Sequence, residues 1–445
     1  MIAVRNTGIL CFQCILCVLV ALAWGIFLIR YFNLEVGYGA TRYTPPPPPE
    51  SALENAIAYV GADNHIWILQ LDSPAQPPKR ISNGSAQYVQ PTWSPDGKWL
   101  AYIGAKNGQR NIYLNTINGD AQYTLYANRD ARPFYLMWSS EGDRLGYLQS
   151  TQDKVELRHL LIRAPKSTHL SARASRVYFN WAPEGNRMIT HADGELQLHG
   201  QNKDTVATLD IGLYRMQAPV WDAKRERTYF VRRRDTDYKN CLYRANNDFT
   251  AIEEVTELPG SCRMIISPDG QYLAFLGARE YSISTYWASH QGVAYIISTE
   301  EGKIHTLFED EVVALFFSPD SKKIALLMRF WGYAKQPMQH FWNVESRYLD
   351  PETRSILMHQ WVLYDIENDT LKPLYAFNST RRFQGVLSYF DQYHNSHSFW
   401  SPDSRYLLTA EQDNDQNPRI WILDTEDEEA PRHVANGSFA VWSWQ

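Results

Sequence analysis

Cysteine is scarce, with five in 445 residues, and three of them (Cys11, Cys14 and Cys17) sit inside one apolar run. There a thiol behaves as a small apolar side chain. Only Cys241 and Cys262 remain for the rest of the chain, too few for a fold built on a disulfide framework. Their spacing leaves open whether they pair. Excess positive charge is also absent: 43 Lys and Arg against 49 Asp and Glu give a formal charge of −6. With no basic stripe beyond the short run Arg232, Arg233 and Arg234, nothing favours nucleic acid as a partner. Also missing are the Gly-x-Ser-x-Gly elbow, the His-Glu-x-x-His helix and the Gly-rich Lys loop that cradles phosphates. The 12 His show no metal-ligand spacing. The composition predicts no catalytic residue, no metal and no cofactor.

One long apolar run is present. From Gly8 to Ile29 the chain carries no charge over 22 residues. At a rise of 1.5 Å per residue this makes about 33 Å of helix, enough to cross a hydrocarbon core of roughly 30 Å. The run passes into FLIRYFNLEVGYG, which offers no small-residue cleavage site. The expectation is an uncleaved signal anchor: a tail at 1–7, a transmembrane helix at 8–29 and a Pro-rich linker at 30–55. Five consecutive prolines, Pro45 to Pro49, make part of that linker a stiff extended spacer. Long domains translocate largely regardless of nearby charge. The remainder is therefore expected outside the cytoplasmic (inner) membrane of a single-pass protein, in the periplasm or extracellular space.

That remainder repeats. WSPDGKWLAY at Trp93 recurs as WSSEGDRLGY at Trp138, WAPEGNRMIT at Trp181 and WDAKRERTYF at Trp221. It continues as ISPDGQYLAF at Ile266, FSPDSKKIAL at Phe317 and WSPDSRYLLT at Trp400. The intervals are 45, 43, 40, 45, 51 and 83 residues. A period of 40 to 45 residues with several short strands per unit is the pattern of a β-propeller blade. In Ser-Pro-Asp-Gly, Pro presets φ, Asp bonds its own backbone and Gly accepts positive φ, so the motif is a turn between antiparallel strands. A later strand, such as HIWILQL (65–71) or RIWILDT (419–425), recurs eight times. The turn motif occurs seven times, and the last stretch, FAVWSWQ (439–445), supplies the missing inner strand if it pairs with IAYVG (57–61). The fold class is therefore all-β: a propeller over 56–445 with eight four-stranded blades, or seven as the alternative, closed by the C-terminal strand pairing with the first blade.

The units resemble the TolB-like, WD-repeat-like propeller family, whose repeat reads W-S-P-D-G-K-x-[IL]-A-[FY] followed by a Gly/Asn turn and I-Y-x-x-[DN]. Residues 91–118 and 399–425 carry the resemblance most closely, and 181–260 depart from the turn motif. The resemblance implies a protein–protein interaction or scaffold module of the bacterial envelope, usually without catalysis.

The Asp residues of the turns, Asp96, Asp269, Asp320 and Asp403, each belong to a different blade, so their repetition argues for turn structure rather than acid–base work. The Trp residues at one register, 93, 138, 181, 221, 400 and 442, are expected to pack between blades. Function is expected where the repeat is broken. An insertion at 330–358 carries Phe330, Trp331, Tyr333, Phe341, Trp342 and Tyr348. The loop 380–399 that follows in the same unit carries Tyr389, Phe390, Tyr393, His394 and His397. Aromatic side chains are enriched in interface cores, and loops on a rigid scaffold tend to carry function. These eleven residues form the expected partner-binding set, and the alternative is that the insertion folds back onto its own blade. The partner is expected to be another protein, or else an envelope polysaccharide or peptide. The rival readings are a lyase or hydrolase acting on carbohydrate or peptide in the central channel, and a small-ligand sensor.

Overall fold

The turn motif does in three dimensions what its side chains allow. Ser94 Oγ donates to Asp96 Oδ1 and accepts from Trp99 N at 3.0 Å, while Asp96 Oδ1 also accepts from Lys98 N at 3.1 Å. Gly97, at φ +64°, closes the turn with its N–H on Ser94 O at 2.9 Å. The same pattern recurs around Asp269, Asp320 and Asp403, whose carboxylates are all taken up by local hydrogen bonds.

A computed structural model describes residues 52–445 except 74–75, 120–121, 201–204, 213–216, 261, 278–291, 334–354 and 428–429. The expected anchor at 8–29, the tail before it and all but the last residues of the linker lie outside the described residues. Among the described residues no helix is long and apolar enough to cross a membrane.

These residues build a β-propeller of antiparallel sheets. Four of the sheets are four-stranded runs of consecutive strands that begin with Gln87–Trp93, Arg132–Trp138, Val177–Trp181 and Val220–Asp222. Another joins Lys79–Arg80, Ile66–Gln70, Ala56–Gly61 and the C-terminal strand Gly437–Trp442, with Tyr59 opposite Ala440 and Ile57 opposite Trp442. A seven-stranded sheet runs from Cys262–Ile266 to Thr370–Phe377. Its long member, Ile304–Phe317, pairs through its first part with Gly292–Ser298 and through its last residues with Lys323–Tyr333, with register shifts around Val312. That strand ends one four-stranded group and begins the next. The last sheet holds Tyr406–Gln412, Pro418–Asp424 and Arg432–Ala435, flanked by a single bridge from Trp400 to Leu407.

The tryptophans at the ends of inner strands pack between neighbouring sheets. Several also bond across the boundary, each to the residue just before the equivalent position of the preceding unit. Trp138 Nε1 donates to Thr92 O at 3.1 Å, Trp181 Nε1 to Met137 O at 3.3 Å and Trp400 Nε1 to Phe316 O at 3.1 Å. Each such indole therefore buries a large apolar surface and still satisfies its N–H. Two turns add a second clasp. Where Gly is replaced by Ser321 (φ +64°) and Ser404 (φ +63°), the hydroxyl accepts from the turn of the preceding unit, Asp269 N at 3.0 Å and Asp320 N at 2.9 Å. Cys241 and Cys262 are both buried and are not joined to one another, and burial raises the Cys241 thiol to about 11.

Candidate functional site

The segment expected as an exposed loop, 380–399, is instead the filling of the ring. Thr380 caps a first helix, α1 (Arg381–Leu387): its Oγ1 accepts from Phe383 N at 3.3 Å and donates to Ser438 O on the C-terminal strand. Phe383, Val386 and Leu387 occupy one face at helical spacing and are buried. A single turn, α2 (Phe390–Tyr393), follows and is also buried. Aromatic spacing in this segment is helical rather than alternating, so the apolar side chains leave in one direction, towards the axis.

Its contacts reach inner strands all round the propeller. Arg382 donates to Tyr88 O at 3.2 Å and to Asn64 Oδ1 at 2.6 Å, and Tyr393 OH accepts from Gln90 Nε2 at 2.8 Å. Thr92 Oγ1 donates to Ser396 O at 2.9 Å, and Tyr135 OH donates to Gln392 O at 2.9 Å. The Gln392 amide then acts as a strand mimic. Its oxygen accepts from Phe179 N at 2.9 Å while its nitrogen donates to Phe179 O at 2.8 Å and to Tyr135 OH at 3.1 Å. Further round, Asp391 Oδ2 accepts from Ala218 N at 2.9 Å, Arg263 Nη1 donates to Ser388 O, and Phe390 meets Phe316 with ring centroids 6.3 Å apart. Phe383 packs against Trp361, Phe377 and Phe399. At about 1.5–3 kcal/mol for each large apolar side chain removed from water, this packing is a substantial part of what holds the ring's centre.

The partner-binding set thus divides. Phe390 is 0 % exposed, Tyr393 8 % and His397 1 %, so these three are packing residues of the plug and offer no surface to a partner. His394 is partly buried beside them, and Tyr389, at 46 % exposed, presents its ring with the Arg263 guanidinium over it at 5.8 Å. Phe330, Trp331 and Tyr333 fall on a different element. Lys323–Tyr333 pairs with Ser355–Asp365 all the way to Tyr333 opposite Ser355. The flanking strands pair only as far as Met328 on one side and His359 on the other. Residues 329–333 and 355–358 therefore form a two-stranded ribbon beyond the sheet proper, and the ends of the expected insertion are strand. Phe341, Trp342 and Tyr348 lie outside the described residues.

The electrostatics of the plug follow from its burial. Asp391 is fully buried, and burial raises its carboxyl above the usual range against the opposing pull of Arg263. Burial lowers His394 to about 4 and His397 to about 3. Ser396 Oγ lies 2.6 Å from His397 Nδ1, a pairing that on paper resembles a nucleophile and its base. An imidazole held that low is a poor base, and Asp391 bonds the Ala218 amide rather than either imidazole. Among the described residues no three His, Cys, Asp or Glu side chains come together in a metal-holding group. Asp413, in the turn between Tyr406–Gln412 and Pro418–Asp424, accepts from Asp415 N at 3.0 Å and Asn417 N at 2.8 Å and pairs with Arg419, so its carboxylate is committed to the turn. Sequence reasoning missed Thr380, Arg382, Asp391 and Gln392, whose polarity reads as surface loop and whose partners are for the most part backbone groups far away in the chain.

No family model matches the chain. A stretch of 71 residues is 35 % identical to the Tol-Pal system protein TolB of Xanthomonas campestris pv. campestris, covering 15 % of this chain and 16 % of that protein. The match thus spans about a sixth of the curated relative's length. Among solved structures, the dihydro-heme d1 dehydrogenase NirN in complex with DHE is 14 % identical, with a TM-score of 0.55 over 90 % of this chain and 77 % of that one. A structure of the eukaryotic initiation factor is 13 % identical, with a TM-score of 0.53 over 88 % of this chain and 98 % of that one. The two structures share the fold alone. The repeated turns and antiparallel sheets make this chain a β-propeller, and over that stretch of 71 residues it is similar to TolB.

Proposed function

We propose that this protein is a non-catalytic interaction module of the cell envelope, an eight-bladed propeller closed by its C-terminal strand. It is held at the cytoplasmic membrane by residues 8–29 and engages another protein outside that membrane. The observation that carries this reading is the plug. The channel, where a lyase or hydrolase site would be expected, is filled by the chain's own α1 and α2 with their polar groups bonded to inner strands. What runs on past its flanking strands is the ribbon of 329–333 and 355–358, the stem of the aromatic insertion. A strand pair that runs beyond its flanking strands offers backbone edges to a partner. The match to a Tol-Pal protein supports an envelope setting and a protein partner.

The test is crosslinking and affinity capture of the anchored full chain against a version in which 330–358 is replaced by Asn-Gly. Arg329 and His359 are already opposite one another, so a two-residue turn closes the shortened hairpin without disturbing the sheet. Loss of the captured partner with retained fold is the expected result, and an unchanged partner set would refute the ribbon's role. Protease added to intact spheroplasts should cleave the propeller. Full protection would place it on the other side.

A further inference from the structure

The plug does not fill the ring from end to end. On the side of the Ser-Pro-Asp-Gly turns it stops at Asn395 and Ser396, and above them opens a basin of about 390 Å³. That volume lies within the range of roughly 300–1,000 Å³ typical of small-molecule sites. Four tryptophans, Trp93, Trp138, Trp181 and Trp444, line it, and its polar lining includes Ser140, Asn180 and Asn395. None of the lining residues is acidic, basic or His.

Three features of that lining narrow the ligand. First, a charged group would leave water for a site with no counter-charge, at a cost of several kcal/mol, so the ligand is neutral. Second, the indole N–H groups are out of reach of a ligand: Trp138 bonds Thr92 O, Trp181 bonds Met137 O and Trp444 bonds Trp93 O at 3.3 Å, and that of Trp93, unbonded, is buried. The indoles therefore offer apolar surface alone, and Trp444, 37 % exposed, offers the most. The electron-rich face of an indole attracts weakly positive C–H groups. Third, the two carboxamides are positioned but weakly committed. Asn180 Nδ2 donates to Asn395 Oδ1 at 3.3 Å and to Pro219 O at 3.4 Å. Asn395 Nδ2 donates to Asp391 O at 3.3 Å and to Gln392 O at 3.5 Å. All four contacts are at the long end of the hydrogen-bond range, so a hydroxyl approaching at ordinary distance displaces them at little cost. A molecule with an apolar C–H face, a rim of hydroxyls and no charge is an uncharged sugar.

We infer that the basin at the turn-side mouth binds a neutral saccharide of one or two rings. One ring lies on Trp444, and its hydroxyls bond to Asn180, Asn395 and Ser140. The floor of this site is the tip of the plug, so the segment that closes the channel also shapes the pocket.

The test is titration of the full chain in detergent with cellobiose, maltose and N,N′-diacetylchitobiose, followed by calorimetry and by Trp fluorescence. At least one should bind with a Kd below about 10 mM, a range expected for a shallow site of few contacts. Trp444→Ala should weaken that binding tenfold or more. Trp444 is 37 % exposed, so the fold should survive, as circular dichroism would verify. Asn395→Ala should weaken binding less, and Tyr238→Ala, remote from the basin and 70 % exposed, should leave it unchanged. Failure of all three sugars, equal binding of digalacturonate, unaltered affinity in Trp444→Ala, or binding of a proline-rich peptide in place of any sugar would each overturn the inference.

Discussion

Gln392→Ala is the sharpest probe of the plug, because one side chain bridges two inner strands. The amide is almost fully buried, and its removal strands Phe179 N–H, Phe179 C=O and one contact of Tyr135 OH. The phenol keeps its bond to Gln392 O, which is backbone. The loss therefore falls on the two peptide groups of Phe179, whose residue pairs with Thr190 on its other side only through the sheet register. Each buried group left without a partner costs about 1–3 kcal/mol, and water entering the vacated space recovers part of that. The expected destabilisation is about 2–4 kcal/mol, locally and globally alike if the plug and ring open together. Hydrogen exchange resolves the two cases. Protection at the Phe179 amide should fall by a factor of about 30 to 1,000, since each 1.4 kcal/mol is tenfold. The urea midpoint should fall with it if opening is cooperative. Unchanged protection at Phe179, with stability within about 0.5 kcal/mol of the parent, would refute the reading of Gln392 as a strand mimic.

Two further predictions concern the turns and the buried histidines. At Ser404, alanine keeps the left-handed backbone and discards the acceptor for Asp320 N, so Ser404→Ala should cost about 1 kcal/mol. Ser404→Gly discards the same bond but relieves the backbone, so it should cost less. Equal thermal shifts would show that the clasp and the φ angle are not coupled. Burial depresses His191, His199 and His359 to about 4 and His397 to about 3. An unfolded histidine takes up its proton near pH 6.5 while these folded ones do not. Their stabilising contribution is therefore complete above about pH 6.5 and is lost as pH falls towards 4, at about 1–2 kcal/mol per histidine by pH 5. Asp391 and Glu411, raised by burial, act in the opposite sense: each costs stability above the unfolded carboxyl range and is relieved on acidification. Urea midpoints that are flat between pH 7 and 5 would contradict the net loss expected from the histidines.

The blades were legible because their information is local. Ser94, Asp96 and Gly97 define a turn within four residues, and the turn recurs mostly at intervals of 40 to 51 residues, so architecture follows from counting. Even the weakest copy keeps the logic. In WDAKRERTYF the Ser and Pro are gone, yet Asp222 Oδ1 accepts from Lys224 N and Arg225 N at 3.1 and 3.2 Å. Arg225 then reaches Gly270 O in the next unit. The indole bonds between units were only half legible. A Trp register predicts packing, whereas the acceptor of each N–H lies about forty or more residues upstream and has no signature of its own.

The plug was illegible for the same physical reason. An aromatic loop with scattered polar groups has one composition whether it faces a partner or the centre of its own ring. What separates the two is where the polar groups find partners. Gln392 reaches Phe179 across 213 residues and Asp391 reaches Ala218 across 173, both of them backbone acceptors or donors that any sequence would provide. A partial signal was present. Phe383, Val386, Leu387 and Phe390 follow helical spacing in a chain that is otherwise strand, and Thr380 stands at the capping position before them. A short amphipathic helix inserted into a ring of sheets must bury its apolar face somewhere, and the packed spaces between sheets are already taken by the inter-blade tryptophans. The channel was the one large apolar vacancy such a ring offers. The break in the repeat therefore does two things at once: its first part extends a pair of strands beyond their flanking neighbours, and its second part turns inward to fill the hole that repetition leaves.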